Sequence, residues 1–292
     1  MNEYHSKHNI ELRYRLGLPA WAFSGWKNKY FTDSPSALAS YASVFNTVEG
    51  NTTFYQTPSV EKVSFWQEQL MGKDFKICFK LPQSITHTHT PSWDELSHFL
   101  NRISPLNEYL GPLLLVFPAR VGPSNVDFIR NVLTRIPSEF EHVIEVRHPA
   151  FFDEISNTGM ALNPILKEFS SHRVVLDSRP LYRGDQSHSD VVQAKHEKPK
   201  VPVQPKVVNG LAFVRLVMHP ACPDNVLFIQ QWAKMVAQYL AHEVETYFTI
   251  HCPNNYYCPE FALQFHKALQ NASEHQIPNL PDFPVPQQSN LL

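Results

Sequence analysis

The chain has 292 residues, of which 43% are hydrophobic, and its 25 basic and 27 acidic side chains give a formal net charge of −2. This composition excludes a largely disordered chain, and the charge provides no global positive field for nucleic acid or an anionic membrane. No apolar run reaches the roughly 18 residues of a membrane span, and the first residues lack a signal-peptide core, so we expect a cytoplasmic protein without a membrane partner.

Short strand-like segments alternate with helix-like segments, a pattern that predicts parallel strands joined by crossover helices. The predicted strands are 13–18, 45–50, 75–81, 113–117, 143–147, 174–177, 212–217 and 246–251. The predicted helices are 36–44, 60–70, 93–103, 125–136, 162–170, 226–241 and 260–271. The length also suits a barrel of about 250 residues, so we predict an α/β protein with a single (β/α)8 TIM-barrel domain over residues 1–277.

Two segments depart from the regular alternation. The connection between the sixth and seventh strands, residues 178–210, is long, with a short helical stretch near Ser189–His196 before a proline-spaced run. Residues 278–292 are rich in proline and carry no apolar pattern of their own, so we predict a C-terminal tail outside the barrel domain.

Strand parity predicts which polar side chains line the barrel interior, because successive side chains of a strand point to opposite faces. If the apolar face packs on the helices, the interior contains Glu49, Lys80, Glu145, Arg147, Asp177, Arg215 and His251. All of these except Arg215 lie at or near the carboxyl ends of their strands, where barrel enzymes keep their active sites. We therefore expect Glu49 and Glu145 to share one pocket, although they are far apart in sequence.

Several segments occur in the order typical of one family: FNTVEGNTTFY at 45–55, LLLVFP at 113–118, VIEVRHP at 143–149, VVLDSRP at 174–180, KPKVPV at 198–203 and IHCPNN at 250–255. In these elements the chain resembles the YecE-like family, also called domain of unknown function 72. The resemblance implies a (β/α)8 barrel and a site that includes Glu49, Asn51, Thr53, Tyr55, Glu145, Arg147 and His148. It implies no particular reaction. The fourth strand departs from the family pattern, with Val116 where relatives usually have glutamine.

The polar residues at the strand ends divide into two groups of candidates. The catalytic candidates are Glu49, Glu145, Asp177 and His251. The candidates for ligand or anion binding are Asn51, Tyr55, Lys80, Arg147, His148, Arg215, His219 and Asn255. Structural alternatives remain open, since Glu145 and Arg147 could neutralise each other and Arg215 could be an internal counter-ion.

Cofactor and metal sites have little support in the sequence. The four cysteines form no C-x-x-C pair, and no glycine-rich nucleotide-binding motif is present, so we expect free thiols and predict no cofactor. The acidic and histidine candidates could supply metal ligands, but no H-E-x-x-H spacing supports such a site. We predict no metal ion.

Three functional hypotheses fit these residues. The leading one is an enzyme acting on a small anionic or phosphorylated, sugar-like compound, with Glu49 and Glu145 as acid/base groups and Lys80, Arg147 and Arg215 holding the anion. The second is a nucleic-acid-binding protein or phosphodiesterase, suggested by the basic residues of the sixth connection: Arg179, Arg183, Lys195, Lys198, Lys200 and Lys206. The third is a non-catalytic barrel that binds an anionic ligand. The near-neutral charge favours a small ligand.

Overall fold

The computed structural model describes residues 13–31, 37–153, 155–156 and 159–284. The strands in this part of the chain are β1 (Tyr14–Leu18), β2 (Thr47–Gly50), β3 (Lys76–Phe79), β4 (Leu113–Phe117), β5 (His142–Val146), β6 (His172–Asp177), β7 (Leu211–Val217) and β8 (Glu245–His251). All eight are parallel and pair in the order β3-β2-β1-β8-β7-β6-β5-β4. Each overlaps a predicted strand, which confirms the predicted fold class.

The ring closes between β3 and β4 through a few backbone hydrogen bonds rather than a full ladder. The Gly111 amide donates to the Ile77 carbonyl at 2.9 Å, and the Leu81 amide donates to the Leu114 carbonyl at 3.0 Å. Lys80 is bridged to Leu114 in the same region. The sheet is therefore a nearly closed barrel, and closure at this seam fixes Lys80 at the mouth.

Helices surround the strands as the apolar pattern predicts. They are α1 (Ala37–Tyr41), α2 (Val60–Leu70), α3 (Gln83–Thr86), α4 (Trp93–Ile103), α5 (Val126–Leu133), α6 (Leu162–Glu168), α7 (Ser189–Glu197), α8 (Asn225–Ala241) and α9 (Cys258–Ala272). The predicted first residue of α1, Ser36, lies outside the described residues. Helix α2 begins where Ser59 accepts a hydrogen bond from the Lys62 amide at 3.2 Å, which satisfies a backbone donor at the helix start. In the described residues no helix combines the length and hydropathy needed to cross a membrane.

Inside the barrel, apolar side chains fill the part nearer the amino ends of the strands, and polar side chains occupy the part nearer the carboxyl ends. The interior cluster consists of Cys78, Leu114, Val116, Val143, Val174, Leu211, Phe213 and Tyr247. Val116 pairs in register with Glu145, and Cys78 with Glu49, so both carboxylates point inward above this apolar floor. The interior therefore combines a packed apolar core with a polar site at the carboxyl ends of the strands, as expected for this fold.

Two peripheral segments also pack on the barrel. The sixth connection contains α7, and its Val191 is buried with Leu181 and Val217. In the predicted tail, Phe283 contacts Tyr30 at a ring-centroid distance of 5.1 Å, so residues 278–284 lie against the barrel. Residues 285–292 of that predicted tail lie outside the described residues.

Candidate functional site

Arg215, in the middle of β7, is the centre of a buried ion cluster formed with Glu49, Glu145 and Arg147. Its Nε and Nη2 donate to the two carboxylate oxygens of Glu49, both at 2.9 Å. Its Nη1 donates to Glu145 Oε2. Arg147 donates from Nε to Glu145 Oε1 at 2.7 Å. The cluster thus contains two carboxylates and two guanidinium groups, which neutralise each other, and Arg215 contacts both Glu49 and Glu145.

Glu49 is saturated with hydrogen bonds although its side chain is fully buried. Besides Arg215, Thr249 Oγ1 donates to Oε1 at 2.6 Å, and Asn51 Nδ2 donates to Oε2 at 3.3 Å. His251 Nε2 lies 2.9 Å from Oε1. Because an ionised carboxylate only accepts, His251 must carry its proton on Nε2, which leaves Nδ1 unprotonated in the neutral ring. Burial lowers the pKa of His251 to about 4, with further lowering by Lys198 and Arg215, so the ring is neutral at pH 7.

The two carboxylates are held in their ionised form. Burial alone would raise the pKa of Glu49, but the charge of Arg215 and the hydrogen bonds from His251 and Arg215 lower it well below the ordinary value. For Glu145, burial is likewise outweighed by Arg215 and Arg147, and its pKa is also low. Carboxylates that stay ionised are poor acids and weak bases near neutral pH. In this structure both carboxylates are counter-ions of Arg215, and their use as an acid/base pair stays a prediction from the sequence.

A cavity of about 540 Å3, here called the mouth cavity, opens above the ion cluster at the carboxyl ends of the strands. Six of the predicted site residues line it: Asn51, Tyr55, Lys80, Arg215, His251 and Asn255. Six further polar or titratable residues that line it were not predicted as site residues: Asp190, Gln193, Glu197, Lys198, Cys252 and Asn254. Of the four residues in the ion cluster, Arg215 lines this cavity, which is large enough for a small molecule, whereas Glu49, Glu145 and Arg147 are not among the lining residues.

The segment after β2 fixes one wall of the mouth cavity. Asn51 Nδ2 donates to the Pro19 carbonyl at 2.9 Å, which joins this segment to the loop after β1. Thr53 Oγ1 donates to the carbonyls of Gly50 and Lys80, at 2.8 and 2.7 Å. Lys80 Nζ then lies 3.5 Å from the centre of the Phe54 ring. The N-T-T-F sequence therefore positions the Lys80 amine, a role that the family resemblance did not specify.

Lys198, at the end of α7, is the main site residue that sequence analysis did not place in the pocket. Its amide donates to the Ala194 carbonyl at 2.8 Å, and its carbonyl accepts from Tyr182 Oη at 3.0 Å. Arg147 Nη1 donates to the carbonyl of the preceding residue, Glu197, at 2.9 Å. Two sequence signals pointed to it: its position at the start of the family element KPKVPV and its place among the basic residues of the sixth connection.

The amines of Lys80 and Lys198 face the mouth cavity without a carboxylate partner among the described residues. Burial and the nearby charges of Arg215 and Arg147 lower the pKa of Lys198 to about 7. The same causes lower the pKa of Lys80 to about 8. A lysine in a cleft whose pKa lies this close to 7 is a candidate for binding or catalysis. Its pKa is lowered this far because the amine is partly desolvated and has no carboxylate partner.

Three predicted site residues lie elsewhere. Asp177 accepts from both Nε and Nη2 of Arg179 and from Trp232 Nε1 of α8, at 2.7–2.9 Å, so its carboxylate is on the helix side of the sheet. His219 Nδ1 accepts a hydrogen bond from the Ala221 amide and Nε2 donates to the Asp185 carbonyl, so both ring nitrogens are hydrogen-bonded to backbone groups.

The third is His148, whose Nδ1 accepts from the Ala150 amide at 3.1 Å and caps the short helix Pro149–Phe152. The ring also packs so close to Gly122 that a Cβ there would lie 2.9 Å from it. None of these three residues lines the mouth cavity. Two predicted residues that do line the cavity lie at its edge or are engaged through the backbone. Tyr55 is 75% exposed at the rim, and the Asn255 carbonyl accepts a hydrogen bond from Trp26 Nε1 at 2.9 Å.

In the described part of the chain, no group of three His, Cys, Asp or Glu side chains is arranged to hold a metal ion. Glu49 and His251 come within 2.9 Å of each other, but the remaining contacts of Glu49 are with Arg215, Thr249 and Asn51. The site is thus built from ion pairs, amines and amides.

Comparisons with known proteins match this architecture. The family model described as Protein of unknown function DUF72 matches residues 15–288. The curated UPF0759 protein YecE of Escherichia coli strain K12 is 34% identical over 281 residues, which cover 94% of this chain and 98% of that protein.

Two solved structures of DUF72 family proteins have the same fold. The protein from Enterococcus faecalis V583 is 20% identical with a TM-score of 0.66, and the match covers 92% of this chain and 100% of that one. The protein from Thermotoga maritima MSB8 is 21% identical with a TM-score of 0.65, covering 88% of this chain and 99% of that one. The resemblance inferred from the sequence elements is confirmed, and the chain belongs to the DUF72 family.

Proposed function

We propose that the mouth cavity binds a small molecule with an anionic group, and that this molecule is the substrate of an enzyme. The observation that carries the proposal is the position of two amines, Lys80 and Lys198, which face one cavity and have no carboxylate partner in the described chain. Buried charges are normally paired or used in function. An anion between the two amines supplies the missing partner.

The charge balance of the floor supports this assignment. The charges of Glu49 and Glu145 are already matched by Arg215 and Arg147, and His251 is neutral, so the charges of the two lysines are not neutralised from below. On the wall, Asp190 accepts from Asn254 Nδ2 at 2.9 Å, and neither it nor the exposed Glu197 forms an ion pair with a lysine of the cavity.

Catalysis is supported by groups that can change protonation near pH 7. Lys198, with a pKa of about 7, and Lys80, with a pKa of about 8, can both exchange a proton near neutral pH, whereas His251 stays neutral. The acid/base roles assigned to Glu49 and Glu145 from the sequence therefore pass to the two amines. The carboxylates instead hold Arg215 and His251 in position.

A small anion fits better than nucleic acid, because the basic residues of the sixth connection do not form one free surface. Arg179 is paired with Asp177, and Arg183 with Asp224. Lys195 and Lys200 both lie over the ring of Tyr182, at 5.5 and 5.8 Å from its centre. A nucleic-acid site would need a continuous row of available cations.

The test is a thermal-unfolding titration with inorganic phosphate at constant ionic strength. A ligand that binds the native state stabilises it by about 2.7 kcal/mol at 100 times Kd, and the increment follows a saturation curve. We expect such a curve for the wild type and for the control variant Lys195→Met, whose amine lies outside the cavity. We expect its loss in the double variant Lys80→Met/Lys198→Met. A wild type without a saturable response, or a double variant that retains it, would overturn the proposal.

A further inference from the structure

Lys198 combines a backbone that is fixed by hydrogen bonds with a side-chain amine that has no partner in the described chain. Hydrogen bonds hold its amide and carbonyl, and Ser178 Oγ donates to the carbonyl of the next residue, Pro199, at 2.8 Å. The side chain lines the mouth cavity, and its amine has no hydrogen-bond or ion-pair partner in the described chain. Positioning the backbone while leaving the amine free is what a nucleophile requires, and a structural lysine would use the amine in a contact.

We propose that Lys198 forms a Schiff base with the carbonyl carbon of an aldehyde or ketone that also carries an anionic group. This inference rests on the proposed function, since Lys80 holds the anionic group. The neutral amine attacks the carbonyl carbon, a C–N bond forms as the C=O π bond breaks, and one proton passes from the nitrogen to the oxygen to give a neutral carbinolamine. The hydroxyl then leaves as water with a second proton, and the nitrogen becomes a protonated imine.

The two lysines divide these roles because their environments differ. Lys198, with a pKa of about 7, is about half neutral at pH 7, while an ordinary lysine with a pKa of 10.5 is neutral in only roughly three molecules in ten thousand. Lys80, with a pKa of about 8, is mostly protonated at the same pH. The neutral amine is the nucleophile, and the ammonium is the better partner for an anion.

Neighbouring groups suit the later steps of imine formation. The protonated amine of Lys80 faces the same cavity and can donate the proton that leaves with the hydroxyl group. Attraction by the ionised Glu49 and Glu145 partly offsets the repulsion by Arg215 and Arg147 at the Lys198 nitrogen, which is positively charged in the protonated imine.

The test is reductive trapping of the full chain with pyruvate, a small anionic ketone, and sodium cyanoborohydride at pH 7. Reduction converts the imine to a stable secondary amine that peptide mass spectrometry assigns to one residue. We expect labelling of Lys198 to exceed that of Lys195 by about ten-fold or more. Inorganic phosphate should reduce the labelling of Lys198 by competition, and the neutral ketone acetone should label it less than pyruvate does.

Two variants separate this inference from the proposed function. Lys198→Arg keeps a positive charge but cannot form an imine, so we expect it to lose the label and retain the saturable stabilisation by phosphate. Lys80→Met should weaken labelling by pyruvate more than labelling by acetone, because it removes the partner of the anionic group as well as the proton donor. Equal labelling of Lys198 and Lys195, or an unlabelled wild type that phosphate still stabilises, would overturn the inference alone. A wild type without a saturable phosphate response would overturn the proposed function.

Discussion

Replacing Arg215 with methionine removes the charge at the centre of the ion cluster and keeps most of the side-chain length. The side chains of Arg215, Glu49 and Glu145 are at most 2% exposed, so water cannot take the place of the guanidinium. Removing one partner of a buried ion pair leaves an uncompensated buried charge, which typically costs about 3–5 kcal/mol. Glu145 keeps Arg147, so the main loss falls on Glu49.

This cost has a predictable size and pH dependence. For a chain of this length, 1 kcal/mol lowers Tm by about 2 °C, so Arg215→Met should lower Tm by about 6–10 °C at pH 7. In the wild type the pKa values of Glu49 and Glu145 are below their unfolded values, so their stabilising contribution is present above about pH 4.5 and is lost as the pH falls further. The difference between variant and wild type should therefore shrink towards pH 3.

The assay is thermal unfolding of the variant and wild type at several pH values from 3 to 7. The control is Arg130→Met, which breaks the pair with Glu168, where both side chains are at least 40% exposed. Such a surface pair contributes about 0–1 kcal/mol. If Arg215→Met lost no more stability than Arg130→Met at pH 7, or lost the same amount at pH 3 and 7, Arg215 would not be the stabilising counter-ion of two buried, ionised carboxylates.

Three further predictions concern the mouth cavity and the side chains that pack on the outside of the barrel. Binding of sulfate, whose own charge is constant from pH 6 to 9, should weaken as the pH rises through 7 and 8, because Lys198 and Lys80 lose their positive charge. The charged groups around them are Arg215, Arg147, Glu49 and Glu145. Calorimetry from pH 6 to 9 measures this change in affinity. Asp177→Asn should reduce stability by about 1–3 kcal/mol in urea unfolding yet leave sulfate affinity unchanged, because the carboxylate faces α8. Phe283→Ala should lower Tm through lost aromatic packing without changing sulfate affinity.

Strand periodicity explains why the fold and the centre of the site could be predicted. Parallel strands with side chains alternating at period two place Glu49, Glu145 and Arg215 inside the barrel, and the structure brings all three into contact. The same rule was wrong for Asp177. There, Leu176 takes the inward position, and the carboxylate on the helix side is satisfied by Arg179 and Trp232.

The remaining differences arise in loops, which have no periodicity to read. His148 and His219 follow strands β5 and β7, but each ring accepts a backbone amide two residues further on, and this local geometry removes it from the cavity. Lys198 reaches the cavity only because α7 and the following extended run lie against the mouth. Sequence could place Lys198 in a basic connection, but its contact with the site depends on tertiary packing.

A nuclear magnetic resonance titration of isotope-labelled lysine side chains can show whether Lys80 and Lys198, which have no carboxylate partner in the described chain, bind an anion. In the free protein we predict two lysine signals with pKa values of about 7 and 8, each assigned by its loss in a single variant, Lys198→Met or Lys80→Met. Saturating phosphate should raise both pKa values, because an anion stabilises the protonated form. The account would be contradicted if every lysine titrated near 10.5, or if phosphate left these two signals unmoved.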